Sequence, residues 1–303
     1  MKGSLPLASR VVEVVAENAR IHTLVLDRHL EAEPGQFVMA WLPGVDERPF
    51  SLARARPVTL TVADVGPFSA EVNRLAAGDR LWVRGPLGRP FTLPGDGAPG
   101  GRLLLVAGGY GVAPMHFLAE RALEQGWQVD AVIGARTAED VIFRDRFAAL
   151  GVEVHVTTDD GSLGRQGLAT GAVRDLVEAG DYRALYACGP EAMLEALDRL
   201  STTCRLPAQL SYERAMRCGF GVCGTCSRGG CETGTCTCSG SQADSGSSGR
   251  TGKADSRSSK ACSRSGSGGG CKASCSGSGR EVTRVSYTSS AGRCRRKCDL
   301  RGA

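Results

Sequence analysis

From Cys223 to Glu281 the chain contains no Val, Ile, Leu, Met, Phe, Trp or Tyr. A stretch built from Gly, Ser, Cys, Arg and Lys buries too little apolar surface to offset the entropy of ordering its backbone, so disorder is expected beyond about Gly230. Nowhere in the 303 residues is there a run of about 18 apolar residues, which excludes a transmembrane helix. The opening MKGSLPLASRVVEVVAENAR lacks the continuous apolar segment of a signal peptide, and a cytoplasmic location follows as the default. Cysteine is scarce in the body: two of the thirteen precede Cys218. That is not the spacing of a secreted disulfide scaffold, so the other eleven read as metal ligands or as accidents.

The net charge of +5 is unevenly placed. From Ser227 onward 14 Lys and Arg face 5 Asp and Glu, which leaves 23 against 27 before it. A basic tail can hold nucleic acid or an anionic membrane. This one offers no aromatic platform and no amphipathic helix, and neither partner is expected.

What is present falls into two rhythms. Between Val11 and Leu93, short runs such as RVVEVVAE, IHTLVLD, GQFVMAWL, PVTLTVADV and DRLWVRGPLG are broken by Gly, Pro, Asp and Arg, which predicts an antiparallel barrel or sandwich over 1–98. After LPGDGAPGG, the runs RLLLVAGG, QVDAVIGAR, VEVHVTTDDG and YRALYACGP alternate with helical patterns, of which VAPMHFLAERALEQG closes on Gly126. This predicts a parallel α/β sheet over 99–208. A cysteine segment over 209–230 and a low-complexity tail over 231–303 complete the expected organisation.

Five motifs carry chemistry. RPFS, Arg48–Ser51, ends the third apolar run, and a guanidinium fork followed by a hydroxyl suits a pyrophosphate or flavin edge. Alone it is equally a surface Arg and a turn Ser. VAGGYGVAP puts Gly108, Gly109 and Gly111 where a strand becomes a helix, a setting that favours phosphate or is simply a tight turn. DDGSLGRQG, with Asp159 and Gly161, and ACGP, with Cys188, Gly189 and Pro190, fall on the same C-terminal edge of the sheet, where open α/β sheets bind ligands. A lone cysteine there is small filler or a catalytic group. CGFGVCGTC spaces Cys218, Cys223 and Cys226 like the first three ligands of a plant-type [2Fe-2S] site, with a thiolate zinc site as the competitor.

Taken in order, RPFS, GDRLWVRGPLG, GGYGVAP, DDGSLGRQG, ACGP and SYERAMRCGFGVCGTC resemble the electron-transfer subunits of NAD-linked dihydroorotate dehydrogenases, in the ferredoxin-reductase superfamily. The resemblance covers residues 5 to about 228. It implies an antiparallel FAD-binding β-barrel, a Rossmann-like parallel α/β domain for NAD and a small [2Fe-2S] domain. Arg48, Pro49, Phe50 and Ser51 would contact FAD, as would Thr61, Val62 and Ala63. Phe68 and Ser69 stand where the family usually carries Gly-Thr near the FAD phosphates, and Tyr110 replaces a frequent glycine. Cys188, Gly189 and Pro190 would face the nicotinamide. The implied partner is an FMN-containing dihydroorotate dehydrogenase catalytic subunit, in a heterotetramer of two of each. Related subunits serve sulfide, sulfite, ferredoxin or hydrogenase partners, and a stand-alone flavin or ferredoxin reductase shares the same domains.

The fourth cluster ligand is the departure. The family supplies it in a strand reading Cys, one residue, Asp-Gly-Pro, and no such text follows Cys226. Cys238 is the nearest match by spacing and Cys236 the next. The break in composition near Gly229 and Gly230 reads as a shift of reading frame, which translating the gene's other frames would test; a genuine Cys-rich metal-binding tail is the alternative.

Overall fold

The computed structural model describes residues 5–95, 101–213, 216–220 and 223, all within one compact unit. Cys226, Cys238 and the tail expected to be disordered lie outside the described residues.

Six strands close a barrel: β1 (Leu7–Asn18), β2 (Ile21–Leu26), β3 (Phe37–Leu42), β4 (Asp46–Ala55), β5 (Val58–Ala63) and β6 (Arg80–Leu87). Their order is β1-β2-β5-β4-β3-β6, every pair antiparallel. Alternation turns Leu24, Leu26, Val38, Leu52, Leu60, Val62, Leu81 and Val83 inward, where each is 2% exposed or less. Burying side chains of this size contributes about 1.5–3 kcal/mol each. A short helix absent from the sequence reading, α1 (Pro67–Asn73), follows β5 and sends Phe68 and Val72 into the same core.

The second sheet is wholly parallel, in the order β10-β9-β8-β7-β11-β12. Its strands are β7 (Arg102–Gly108), β8 (Gln128–Ala135), β9 (Glu153–Thr158), β10 (Arg165–Gln166), β11 (Tyr182–Cys188) and β12 (Ala208–Ser211). Both faces are covered, as near-continuous apolar runs require. Leu103, Leu105 and Ala107 pack under α2 (Val112–Glu124) and α3 (Arg144–Ala149). Leu104 and Val106 pack under α4 (Ala169–Ala179) and α5 (Glu191–Cys204) on the opposite face. α2 ends as its sequence predicts: Gly126 takes φ +82°, its N–H donates to the Leu123 carbonyl, and Trp127 N–H reaches back to Ala122. The pattern DVIFRDRFAALG folds as helix only from Arg144, because Phe143 adopts a left-handed conformation beneath the Arg146 guanidinium.

The barrel and the sheet pack along α2. Phe117 enters the barrel core, Arg54 pairs with Glu120, and Arg121 pairs with Glu33 at 3.0 Å. A strap after β6 is tied to the sheet: Thr92 N–H donates to Gln209 Oε1 at 2.9 Å, and the Thr92 carbonyl accepts the Tyr186 hydroxyl at 2.8 Å.

Candidate functional site

Strand β4 explains why RPFS has the composition it has. These residues do not end β3; they occupy the middle of a strand of their own, paired to β3 alone (Ala40↔Arg48, Met39↔Pro49, Val38↔Phe50, Phe37↔Ser51). Pairing of β4 with β5 runs only from Leu52↔Leu60 to Ala55↔Val58. Beyond that point the two strands part, and Thr61, Val62 and Ala63 are paired on their other side alone, with β2. Pro49 is tolerated because a proline without N–H suits a strand edge. The splay therefore has Arg48–Ser51 on one side and Thr61–Ala63 on the other, the two groups the resemblance assigns to FAD. Arg48 and Ser51 are exposed along it, and Arg48 keeps an ion pair with Asp46 at 2.6 Å. An open strand edge with a guanidinium and a hydroxyl has the donor chemistry a flavin dinucleotide needs.

The side chains of Phe68 and Ser69 are engaged within the fold. Phe68 is buried against Phe50, with ring centroids 6.1 Å apart. The Ser69 hydroxyl accepts the Val65 and Gly66 N–H groups at 3.0 Å and donates to the Gly66 carbonyl. The hydrogen bonds of this hydroxyl are taken by the start of α1.

The sheet reverses direction of growth between β7 and β11, the place where open α/β sheets hold ligands. Glycine makes the junction possible there. A Cβ added at Gly108 would lie 2.5 Å from Pro190 Cδ, and one at Gly111 would overlap the Cys188 carbonyl oxygen. The turns after β7 and β11 thus touch backbone to backbone, and Gly109, Gly189 and Pro190 lie in the same pair of turns. The Gly109–Gly111 turn also borders β5, the strand that carries Thr61–Ala63.

Cys188 is buried at this junction, beside Ser211 in the neighbouring strand. Burial above all, then the Glu213 carboxylate, pushes its thiol up to about 12, against the pull of a hydrogen bond with Ser211. A group so shifted is a neutral thiol at physiological pH. Tyr110 donates its hydroxyl to Glu213 at 3.2 Å, and burial followed by that carboxylate raises it to about 12.

Asp159 and Gly161 sit in an exposed turn after β9, on the same edge. The turn is ordered by Asp160, which accepts the Ser162 N–H at 3.0 Å and hydroxyl at 2.6 Å and is held below the usual carboxylate range by them. Thr157 Oγ1, buried at the end of β9, has no hydrogen-bond partner among the described residues.

Cys218 and Cys223 are the described members of the cysteine set. The loop containing Cys218 lies on the β3–β6 side of the barrel. Gly219 takes φ +73° where a Cβ would press on Leu87 and Met39. The Phe220 N–H donates to Cys218 Sγ at 3.3 Å, the arrangement in which a thiolate ligand is stabilised. This loop therefore fits a sulfur-ligated group at its first position. Sequence reasoning gave no role to Glu47, Arg84, Ser211 and Glu213, whose partners are remote in the chain, although Arg84 lies inside GDRLWVRGPLG and Ser211 and Glu213 lie inside SYERAMRC.

A splayed antiparallel barrel joined at a glycine junction to a parallel sheet defines a reductase-type electron-transfer module. A model of the oxidoreductase NAD-binding domain matches residues 105–199. The chain is 37% identical over 221 residues to the "Probable dihydroorotate dehydrogenase B (NAD(+)), electron transfer subunit" of Methanocaldococcus jannaschii, covering 73% of this chain and 83% of that one. Its counterpart in Methanothermobacter thermautotrophicus is 40% identical over 229 residues, covering 74% and 83%. The solved NADH-dependent reduced ferredoxin-NADP oxidoreductase, a flavin-based electron-bifurcating protein, aligns with a TM-score of 0.65 at 29% identity, over 75% of this chain and 83% of that one. The chain belongs to the family of dihydroorotate dehydrogenase B (NAD(+)) electron transfer subunits, and is an oxidoreductase subunit. Among the described residues no helix is long and apolar enough to cross a membrane.

Proposed function

We propose that this chain passes electrons between a dihydroorotate-oxidising, FMN-containing catalytic subunit and NAD+, in the cytoplasm and in pyrimidine biosynthesis, within a heterotetramer of two subunits of each kind. FAD belongs in the β4–β5 splay, NAD at the β7–β11 switch point and a [2Fe-2S] cluster at the cysteine loop. The observation that carries this reading is the approach of the two regions, since β5 borders the Gly109–Gly111 turn. FAD, when bound, supplies hydride exchange with a nicotinamide and one-electron exchange with a cluster, chemistry that no side chain of the protein offers.

The residues divide the remaining work. Arg48 and Ser51 bind and orient from one strand edge, while Thr61, Val62 and Ala63 offer backbone from the other. Thr61 keeps its hydroxyl on Thr23 at 2.9 Å, which leaves its main chain as the contact. Gly108, Gly111 and Gly189 keep side chains out of the junction where two flat rings must meet, and Pro190 and the neutral Cys188 thiol wall it against water. Asp159 and Gly161 stand at the edge where a cofactor ribose or phosphate would lie. Cys218, Cys223 and Cys226 are the proposed cluster ligands, with Cys238 as the fourth by spacing.

Absorption and low-temperature EPR spectra of the purified, anaerobically reconstituted chain test this, with FAD, iron and sulfide assayed on the same sample. Bound FAD that NADH bleaches, together with a reduced [2Fe-2S] signal, is the expected result. Zinc in place of iron and no flavin would overturn it. Rapid turnover with a soluble acceptor in the absence of any partner would instead identify a stand-alone reductase.

A further inference from the structure

Arg84 is an unusual cation for a barrel strand. Its side chain is 10% exposed, and it is gripped by Glu47 from β4 through Nε to Oε1 at 2.6 Å and Nη2 to Oε2 at 3.0 Å. Burying a guanidinium is costly unless its donors are used. Nη2 has a second acceptor, the Cys218 carbonyl at 3.0 Å, and the guanidinium carbon lies 5.0 Å from the centre of the Phe220 ring. Nη1 is buried without a hydrogen-bond partner among the described residues. A charged donor pinned by Glu47, bonded through Nη2 to the backbone of a cysteine loop and left with Nη1 unpartnered is available to an acceptor that the described residues do not supply.

We propose that Arg84 is a positioning residue for the cysteine loop, and that its Nη1 is the hydrogen-bond donor to a sulfur of the iron–sulfur group this loop holds. The second half rests on the cluster reading above; the first does not. Glu47 sets the plane of the guanidinium, Nη2 fixes Cys218 from its carbonyl side, and the Phe220 ring closes over the cation. Gly219 lets the loop turn tightly enough for both contacts, since its left-handed conformation brings the chain down onto Leu87 and Met39. A positive donor beside a cluster that gains negative charge on reduction favours the reduced form, so Arg84 raises the cluster's reduction potential.

Two measurements on the full chain decide the matter. In metal-free protein, amide hydrogen exchange across residues 216–220 is compared among wild type, Arg84→Lys, Arg84→Met and Glu47→Gln, with β7 and β11 as references for an intact fold. Loss of a charge-assisted hydrogen bond predicts exchange of the loop faster by about tenfold or more in Arg84→Met. An intermediate change is expected in Glu47→Gln, and Arg84→Lys recovers part of the protection. Unchanged loop exchange in the Met and Gln variants with the references also unchanged would overturn the clamp. If Arg84→Met loosens the references too, the Lys and Gln variants carry the test.

The second measurement is an EPR-monitored potential titration of reconstituted protein. A lower midpoint in Arg84→Met, restored in part by Lys, is expected; equal midpoints would remove the role of Nη1 while leaving the clamp. Wild-type chain that takes up no cluster would sink the cluster reading and the Nη1 donor with it, and the exchange result would still decide the clamp.

Discussion

The two halves of the molecule open a ligand site by opposite means. In the barrel, room comes from backbone pairing that stops: β4 leaves β5 beyond Leu52↔Leu60 and exposes two strand edges. In the parallel sheet the strands stay paired to their ends, Cys188 opposite Ala107 and Ser211, and room comes from side chains that are missing at Gly108 and Gly111. The first device tolerates many residue types, because its opening is made by hydrogen bonds left unmade. The second tolerates almost none, because its surfaces are already in contact.

That contrast orders what substitution should do. Gly111→Ala is the sharpest test, since its methyl would overlap the Cys188 carbonyl oxygen. Overpacking of this kind costs about 1–3 kcal/mol, and displacement of the turn should weaken nicotinamide binding by about tenfold or more while FAD content holds. Calorimetry and an NADH titration of the bound flavin read the two effects separately. Equal loss of FAD and NADH binding would break the comparison. In the barrel, Arg48→Ala should reverse the pattern, with FAD retention weaker by about tenfold and stability changed by less than about 0.5 kcal/mol, because the Arg48–Asp46 pair is a surface one. Equilibrium dialysis against FAD, with a thermal melt alongside, checks it.

Alkaline pH provides a smaller effect confined to the sheet side. The Cys188 thiol rises from 9.0 to about 12 and the Tyr110 hydroxyl from 10.0 to about 12. Both are acids held neutral by folding, so above pH 9 the unfolded chain loses protons that the folded chain keeps. Their contribution to stability is whole below pH 9 and is lost progressively as pH rises toward 12. The melting temperature should fall across that range, and less steeply in Cys188→Ala. The same variant supplies the smallest expected effect. Near pH 7 its rate of flavin reduction by NADH, followed by stopped flow, should stay close to wild type, well short of the roughly hundredfold loss that follows removal of an acid–base group. A rate loss of that size would mean the thiol takes part in proton transfer.

Legibility in the sequence follows the same division. Apolar alternation placed β1, β2, β3, β5 and β6, and the βα rhythm placed β7, β8, β9 and β11, since each is written in neighbouring residues, whereas the short edge strands β10 and β12 were not legible. Strand β4 was harder to see, because a stretch reading DERPFSLARA is charged and carries a proline, and it is a strand only through β3 and, at its far end, β5. The short helix α1 was hidden for a related reason: its burial of Phe68 and Val72 depends on a barrel that has already closed. In the site, the glycine turns and the cysteine spacing were visible as motifs. The pairing of Glu47 with Arg84, and of Tyr110 with Glu213, was not, because those partners are 37 and 103 residues apart.

The sequence by itself determined which chemistry the chain can offer: thiolates at a cluster's spacing, glycines at strand ends, and a guanidinium beside a hydroxyl. Those are properties of residue type and near neighbours. Only the tertiary structure decided which of them meet. It withdrew the Ser69 hydroxyl into the start of a helix, kept Cys188 neutral by burial, brought β5 beside the Gly109–Gly111 turn, and set Arg84 against the Cys218 carbonyl. Desolvation and long-range pairing act on groups remote in sequence, so they exist only once the chain has folded.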